Sequence, residues 1–317
     1  MGRSRAHYWF IAPAVFLMIL ILIAPVFVAA TLSFTDYSLG NQSFNWVSWK
    51  NYEALTKRSS YQKMFTASLA YVIIVVPVSV ALGLGAALLI SSLRFGGELY
   101  KTVFFLPVMA TLLAMAIVWE FALHPIIGVV NDMLAGGCDV GWLHGLLTGA
   151  WYGADPMASW YGRGCADDFP LWLGDKNYAL GTIAFIGIWQ AFGFNMVLYL
   201  AGLTAVPREL YSAAEVDGAD SAWERFKLVT WPMLGPTHVF VVTITSIRSF
   251  QVFDTVEALT RGGPSKSTYV MVYAMFEKGV RQNLLGIGST ITVVFLAFVL
   301  ILTISQVYFV NRRVHYS

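Results

Sequence analysis

The chain has 317 residues, of which 57% are hydrophobic and 12% are charged, and its formal net charge is +2. A soluble domain carries about 25% charged residues, so this composition excludes an ordinary water-soluble fold and predicts that the chain lies in a lipid bilayer. The basic residues are scattered in ones and twos, which excludes nucleic acid as a predicted partner. The two cysteines and five histidines show no metal-ligand spacing.

Six stretches are apolar and long enough to cross a bilayer, which takes roughly 20 residues. The first is too long for the core of a signal peptide and is predicted to be a retained span. The sequence therefore predicts an all-α polytopic membrane protein whose residues 1–317 form one transmembrane domain. The predicted spans are residues 9–34, 64–93, 102–123, 178–206, 233–254 and 286–310.

An even number of spans puts both ends of the chain on one side of the membrane. Lys and Arg are about twice as dense in the two termini, the loop between spans two and three and the loop between spans four and five as in the opposite loops. Because short cytoplasmic loops carry the excess of basic residues, the N- and C-termini are predicted to be cytoplasmic. Residues 124–177 then form an external insertion.

The predicted external insertion contains both cysteines, Cys138 and Cys165. An external compartment is oxidising, so a disulfide between them is one expectation. Such a bond would stabilise the insertion by roughly 3–4 kcal/mol in the chain-entropy account. Two free thiols in a small folded insertion are the alternative.

Residues 207–232, between spans four and five, form the most informative polar segment. Its helix-start and helix-stop signals predict two short helices with a turn between them. A capping-box spacing marks the start of the second helix, and a Trp-Pro pair is expected to end it. The residues that give these signals are Pro207, Asp217 with Gly218, Ser221 with Glu224, and Trp231 with Pro232.

This segment resembles the EAA coupling loop of ABC-importer permeases, which docks into a cleft of a cytoplasmic ATPase. The family pattern is Glu-Ala-Ala, three residues, Gly, and then a hydrophobic stretch that ends in Pro. Ser212 stands where the family has glutamate, which departs from the pattern. The resemblance implies ATPase-coupling roles for Ser212, Ala213, Ala214, Asp217, Gly218, Ala219, Phe226 and Pro232.

Further motifs are similar to the carbohydrate-type permeases of the maltose and glycerol-3-phosphate importer group. They occur in the same order and at the same spacing as in that group, and the resemblance covers the chain from about Pro25 to its end. The motifs are Phe104–Pro107 with Trp119, Gly128 and Asn131, then Leu200–Leu203, Phe250–Asp254, Leu259–Pro264 and Ser267–Thr268.

The resemblance implies a permease subunit of a binding-protein-dependent ABC importer in the cytoplasmic membrane of a bacterium or archaeon. Its expected partners are a second permease subunit, two ATPase subunits, an external solute-binding protein and membrane lipid. The expected solute is a disaccharide or oligosaccharide, with glycerol-3-phosphate or its diesters as the alternative. ATP and magnesium are expected on the ATPase subunits, so this chain is not expected to be an enzyme or to bind a cofactor.

The sequence contains no motif that predicts an ATP site. The nearest look-alike of a phosphate-binding loop begins at Gly262, but that motif requires glycine directly before the lysine, and Ser265 precedes Lys266. Scattered histidines do not favour an intramembrane enzyme. The lack of a convincing internal repeat does not favour a stand-alone secondary transporter, which typically has paired halves.

Polar side chains within spans are costly in lipid and typically face a cavity or a helix partner. Gln190 and Asn195 in span four, with Arg248, Gln251 and Asp254 in span five, are therefore the predicted solute-pathway residues. The last three are spaced by three residues and would share one helix face. Interhelical hydrogen bonds are the alternative for the first two, and an ion pair with Asp254 or a neighbouring subunit is the alternative for Arg248. Nearby aromatic residues that serve either sugar stacking or packing are Trp189, Phe192, Phe250 and Phe253.

Overall fold

The computed structural model describes residues 6–93, 95–131, 133 and 170–311. Within these residues the chain is helical apart from turns, loops and an isolated antiparallel bridge between Thr35 and Trp46. The predicted all-α polytopic fold is confirmed. Most of the predicted insertion, including Cys138 and Cys165, lies outside the described residues.

The helices are bounded as follows, in chain order. The first seven are α1 (Ala6–Met18), α2 (Ala24–Leu32), α3 (Lys50–Lys57), α4 (Ser59–Ser92), α5 (Gly97–Met109), α6 (Leu112–Ala122) and α7 (Ala179–Thr204). The next seven are α8 (Arg208–Val216), α9 (Ala222–Arg225), α10 (Trp231–Met233), α11 (Gly235–Phe250), α12 (Asp254–Leu259), α13 (Met271–Phe276) and α14 (Leu285–Asn311). Three π-helical segments are Ile19–Ile23, Phe226–Thr230 and Glu277–Arg281.

Helices of membrane-spanning length and hydropathy number five in the described residues, or six if a bent pair counts as one span. The long segments are Phe10–Leu32, Ser59–Ser92, Ala179–Thr204, Gly235–Leu259 and Leu285–Gln306. The chain divides into two compact units. Of the described residues, the first unit comprises 6–65 and 271–302, and the second comprises 66–93, 95–131, 133, 170–270 and 303–311.

The first unit is held together by hydrogen bonds around the backbone that follows α2. The Asn51 side-chain amide donates to the carbonyls of Ser33, at 2.9 Å, and Thr35, at 2.8 Å. From α14, the Thr290 hydroxyl donates to the same Ser33 carbonyl at 3.1 Å, and the Gly286 amide donates to the Tyr37 carbonyl at 2.9 Å. Ser33, Thr35, Asn51 and Thr290 are buried, so their pairings satisfy polar atoms that would otherwise be costly.

The second unit depends on close approach between helices at glycine positions. A Cβ atom on Gly193 of α7 would lie 2.0 Å from the carbonyl oxygen of Phe104 in α5, and one on Gly83 of α4 would lie 2.6 Å from Cβ of Asn195 in α7. Small residues let helix backbones approach each other in membranes, where packing drives association. Helix α7 is therefore in contact with both α4 and α5.

The third predicted span, residues 102–123, is not one straight helix. Helix α5 ends at Met109, the backbone of Ala110 and Thr111 is extended, and the two helical parts are bent by 99°. Pro107 lacks the N–H that would bond to the carbonyl one turn earlier, which weakens the last turn of α5.

The fifth predicted span, residues 233–254, lies largely within the membrane-spanning segment Gly235–Leu259, but its helix is interrupted. Helix α11 stops at Phe250, and α12 begins at Asp254. The amide of Gln251 is shared between the carbonyls of Ile247, at 3.2 Å, and Arg248, at 3.1 Å, so the last turn tightens and the helix ends. The prediction that three pathway residues share the face of one continuous helix is therefore wrong.

Candidate solute cavity and coupling segment

A cavity of about 320 Å³ lies in the second unit, lined by side chains from α4, α5, α7, α11 and α12. Its volume is at the lower end of the roughly 300–1,000 Å³ found for small-molecule pockets. All five predicted pathway residues line this cavity, namely Gln190, Asn195, Arg248, Gln251 and Asp254. Arg248, Gln251 and Asp254 therefore line one cavity even though the helix is interrupted between them.

Asn195 is the buried member of this group and joins three helices. Its amide nitrogen donates to the Ser79 hydroxyl of α4 at 3.3 Å, and its amide oxygen accepts from the Thr245 hydroxyl of α11 at 2.8 Å. Its side chain is 0% exposed. The interhelical alternative therefore describes Asn195 better than direct contact with a solute.

Gln190 occupies a different environment although it lies in the same helix, α7. It is half-buried, and its side chain has no hydrogen-bond partner in the part of the chain that the structure describes. Gln251 and Asp254 are exposed where they line the cavity. These three side chains therefore keep polar atoms available to a solute.

Arg248 is exposed at the cavity and packs against an aromatic ring. Its guanidinium carbon lies 4.1 Å from the ring centre of Phe194, within the range of a cation–π contact. Among the described residues the basic partners of ion pairs are Lys57, Lys101, Arg225 and Lys278. The alternative ion pair between Arg248 and Asp254 is not formed.

Sequence reasoning missed Tyr71, Phe194 and Thr245 as cavity residues. Phe194 directly precedes Asn195, and Thr245 lies one turn before Arg248, but both residue types are common in apolar spans. No sequence signal separates them from packing residues.

Of the aromatic residues considered at the sequence level, Phe253 lines the cavity. Phe192 makes an edge contact with Phe104 at 5.6 Å, and Trp189 makes one with Trp119 at 5.5 Å. These two side chains are engaged in helix packing.

The contrast between Asn195 and Gln190 gives a paired prediction. Asn195→Ala removes two interhelical hydrogen bonds and is expected to destabilise the protein by about 1–2 kcal/mol, since one such bond contributes roughly 0.6–1.7 kcal/mol. Gln190→Ala is expected to leave the thermal midpoint of the purified protein unchanged and to alter solute uptake severalfold. Equal destabilisation by both substitutions would instead assign Gln190 to packing.

The coupling segment, residues 207–232, contains the two predicted short helices, α8 and α9. Gly218 follows α8 with a φ of +91°, in the left-handed region that glycine adopts without a Cβ penalty. Around this turn, Ala214 and Ala219 are buried against Val206 and Val229. The turn is therefore supported by a small apolar cluster of its own.

The predicted capping box at the start of α9 is confirmed. The Ser221 hydroxyl accepts from the Glu224 amide at 3.1 Å, and the Glu224 carboxylate accepts from the Ser221 amide at 3.0 Å. The Ser221 amide lowers the pKa of the Glu224 carboxyl below its usual value. The stabilisation is therefore complete at neutral pH and is lost as the pH falls through the lowered pKa. Arg225 also forms an ion pair with Glu215 across the turn.

The prediction that Trp231 and Pro232 end the second helix is wrong. The chain stays helical through a π-helical segment, Phe226–Thr230, into α10, with one non-helical residue before α11. The Trp231 amide bonds to the Phe226 carbonyl, five residues back. Such a bulge accommodates a proline that would otherwise clash with the carbonyl one turn earlier. The same arrangement precedes Pro25, where the Ala24 amide bonds to the carbonyl of Ile19.

The eight predicted coupling residues occupy different environments. Buried positions are Ala214 and Ala219, Phe226 is half-buried, and the exposed ones are Ser212, Ala213, Asp217, Gly218 and Pro232. Two apolar side chains missed at the sequence level are also exposed, Val216 at 87% and Trp223 at 62%. The surface around the turn therefore presents small and apolar side chains.

The coupling segment connects the two helices that contribute most of the pathway residues, α7 and α11. The Tyr199 hydroxyl of α7 lies 2.6 Å from Nδ1 of His238 in α11. The His238 ring in turn lies 5.1 Å from that of Trp231, in the segment itself. The segment is therefore joined to both helices by the covalent chain and by packed rings.

Residues 79–315 match the family described as "Binding-protein-dependent transport system inner membrane component". This range covers the coupling segment, most of the spans and every cavity-lining residue except Tyr71 and Val75 of α4. The chain belongs to this family. It is accordingly a multi-pass permease component of an ABC importer in the inner membrane.

Relatives that match nearly the whole chain agree with this assignment. The chain is 26% identical to the probable starch degradation products transport system permease protein AmyD of Thermoanaerobacterium thermosulfurigenes, covering 98% of this chain and 96% of that one. It is 27% identical to the sn-glycerol-3-phosphate transport system permease protein UgpA of Brucella abortus biovar 1 (strain 9-941), with the same coverage.

Its fold matches a chain of a bacterial ABC transporter involved in the import of the acidic polysaccharide alginate. The TM-score is 0.75 at 19% identity, covering 97% of this chain and 95% of that one. A second matching structure shows a bacterial alginate ABC transporter in complex with a periplasmic protein bound to an alginate pentasaccharide, with a TM-score of 0.76 at 18% identity.

Proposed function

We propose that this permease carries a sugar, a disaccharide or oligosaccharide, through the cavity between α7 and α11 by ATP-driven alternating access. The observation that carries the proposal is that five polar residues of two spans line one cavity, while the segment joining those spans has the features of a docking loop. A relative named for starch degradation products supports the sugar class, and a relative named for sn-glycerol-3-phosphate supports the alternative solute.

The proposed assembly contains a second permease subunit, two ATPase subunits and an external solute-binding protein. ATP and magnesium bind to the ATPase subunits, and this chain binds neither. The coupling segment lies in the cytoplasm, as do both termini. This orientation is supported by the density of Lys and Arg in the loops on that side.

The coupling segment acts as a mechanical lever in this proposal. Closure of the ATPase pair moves the exposed turn at Gly218, and the apolar cluster beneath it keeps α8 and α9 together. The nearly continuous helix from Ala222 to Phe250 transmits that movement over about 40 Å, at 1.5 Å per residue. Rearrangement of α7 against α11 then changes which side of the membrane the cavity faces.

Reconstitution tests the proposed function. The complete assembly in proteoliposomes is expected to take up a sugar from a panel of disaccharides and oligosaccharides only when ATP is present, and the sugar is expected to stimulate ATP hydrolysis. Liposomes that contain this chain without the ATPase subunits serve as the control. Sugar uptake by this chain alone would contradict the proposal.

Thiol labelling tests the orientation in liposomes that contain this chain without the ATPase subunits, where the proposed docking surface is uncovered. With Cys138 and Cys165 replaced by serine, Val216→Cys is expected to react with a membrane-impermeant reagent only from the cytoplasmic side. Val216 is suited to this purpose because its side chain is 87% exposed. Labelling from the outside would contradict the proposed position of the coupling segment.

A further inference from the structure

Arg248 is a charged side chain within a membrane-spanning segment, and its hydrogen-bond donors are unused. A guanidinium carries five N–H donors, yet in the described ranges Arg248 forms neither an ion pair nor a side-chain hydrogen bond. A charged residue at this depth typically marks a solute or ion pathway. The cavity is the place where its donors can meet a ligand.

Two features stabilise the positive charge of Arg248 and leave its N–H donors unoccupied. The Phe194 ring lies 4.1 Å from the guanidinium carbon and provides a cation–π contact. Arg248 also lies in the last turn of α11, where the helix dipole favours a positive charge. The side chain is therefore held in place while its planar set of N–H groups remains free to bind an oxyanion.

The opposite charge in the cavity lies on a separate helix. Asp254 is in the first turn of α12, where the dipole favours a negative charge, and Gln251 lies between the two helices. Because Arg248 and Asp254 are not paired, the cavity presents a cation at one position. At another it presents carboxylate and amide oxygens that can accept hydrogen bonds from hydroxyl groups of a solute. This arrangement fits a ligand with an anionic group at one end and hydroxyl groups at the other.

We infer that Arg248 selects the charge of the solute, and that the imported sugar bears an oxyanion, either a carboxylate or a phosphate. The anion binds the guanidinium held by Phe194, and solute hydroxyl groups donate to Asp254 and Gln251. This inference rests on the proposed function, since it assigns a substrate class to the same cavity. Phe194 is a positioning residue, because it acts through Arg248.

Matched pairs of acidic and neutral probes test the inference in the complete importer. The carboxylate pair is digalacturonate with digalactose, and the phosphate pair is sn-glycerol 3-phosphate with glycerol. Binding is measured from the rise in thermal midpoint of the assembled complex with probe concentration, and ATP-driven uptake is measured in parallel. A preference in the carboxylate pair identifies an acidic sugar, and one in the phosphate pair identifies a phosphorylated solute.

In the unsubstituted importer, the acidic member of one pair is expected to bind about tenfold to hundredfold more tightly than its neutral partner. This is the range expected from the free energy of a hydrogen bond to a charged group. Arg248→Gln is expected to reduce this ratio to about one, because affinity for the acidic probe falls by most of that factor. Arg248→Lys keeps the charge but not the planar donors, and Phe194→Leu removes the ring, so both are expected to give intermediate ratios.

Equal binding of acidic and neutral probes in both pairs would overturn the inference, as would an undiminished preference in Arg248→Gln. If ATP-driven uptake of the neutral sugar persists in either case, the proposed function stands and only the charge selection fails. If neither digalacturonate, digalactose nor any sugar of the wider panel is taken up with ATP, the proposed function fails and the inference fails with it.

Discussion

Replacing Gly218 by valine is expected to reduce ATP-driven uptake by at least about tenfold while leaving the membrane-spanning helices folded. Gly218 has a φ of +91°, and a β-branched residue in the left-handed region costs on the order of 1–3 kcal/mol. The turn between α8 and α9 would relax to another conformation, which would move the surface proposed to dock the ATPase. A difference of 1.4 kcal/mol corresponds to a tenfold change in an equilibrium. Co-purification of the ATPase subunits and uptake in proteoliposomes measure the effect.

Gly218→Asn is the matched control for this substitution. In the described residues nothing lies within 4 Å of a Cβ atom built on Gly218, so neither side chain is excluded by space within the chain. Asparagine tolerates the left-handed conformation far better than valine, and it is expected to retain most of the uptake. Full uptake and normal ATPase association in Gly218→Val would contradict the lever proposed for this segment.

Replacing Gly193 by alanine is expected to prevent normal packing of α5 against α7. The added Cβ would lie 2.0 Å from the Phe104 carbonyl oxygen, a distance at which a helix backbone must move. Overpacking of a tight interface typically costs 1–3 kcal/mol, and a clash with backbone places this substitution at or above the upper end of that range. A large fall in the thermal midpoint and in the yield of monodisperse protein would report the effect.

Gly181→Ala is the matched control in the same helix. In the described part of the chain nothing lies within 4 Å of a Cβ atom at Gly181, so the methyl group meets open space. Alanine is favoured over glycine in a helix by about 1 kcal/mol, and this variant is expected to be at least as stable as the unsubstituted protein. Similar thermal midpoints for Gly193→Ala and Gly181→Ala would show that the close approach of α5 and α7 is not required.

The Gly218 substitution tests the proposed ATPase-docking surface, and the Gly193 substitution tests the packing of the fold. Gly218 lies in the exposed turn of the coupling segment, and Gly193 lies in α7 between the cavity residues Gln190 and Asn195. We therefore expect Gly218 variants to separate ATP hydrolysis from uptake, and Gly193 variants to lose both together because the fold itself is affected.

The features that could be predicted from the amino-acid sequence are those with local physical causes. A span requires a long apolar stretch, so composition along the chain was sufficient to predict a polytopic helical protein. The capping box at Ser221 and Glu224 and the turn at Gly218 depend on neighbouring residues, and both are confirmed. The end assigned to Pro232 was wrong because a π-helical bulge allows a helix to continue through a proline.

The arrangement of the cavity could not be derived in this way, because it depends on packing between helices. Asn195 and Thr245 are 50 residues apart in the chain, and their hydrogen bond exists because α7 approaches α11 closely. The burial of Asn195, the Phe194 ring beside Arg248 and the helix break before Asp254 likewise follow from contacts between distant segments. Hydropathy and spacing identify which polar residues lie in the spans, but the packing of the helices determines which of them a solute can reach.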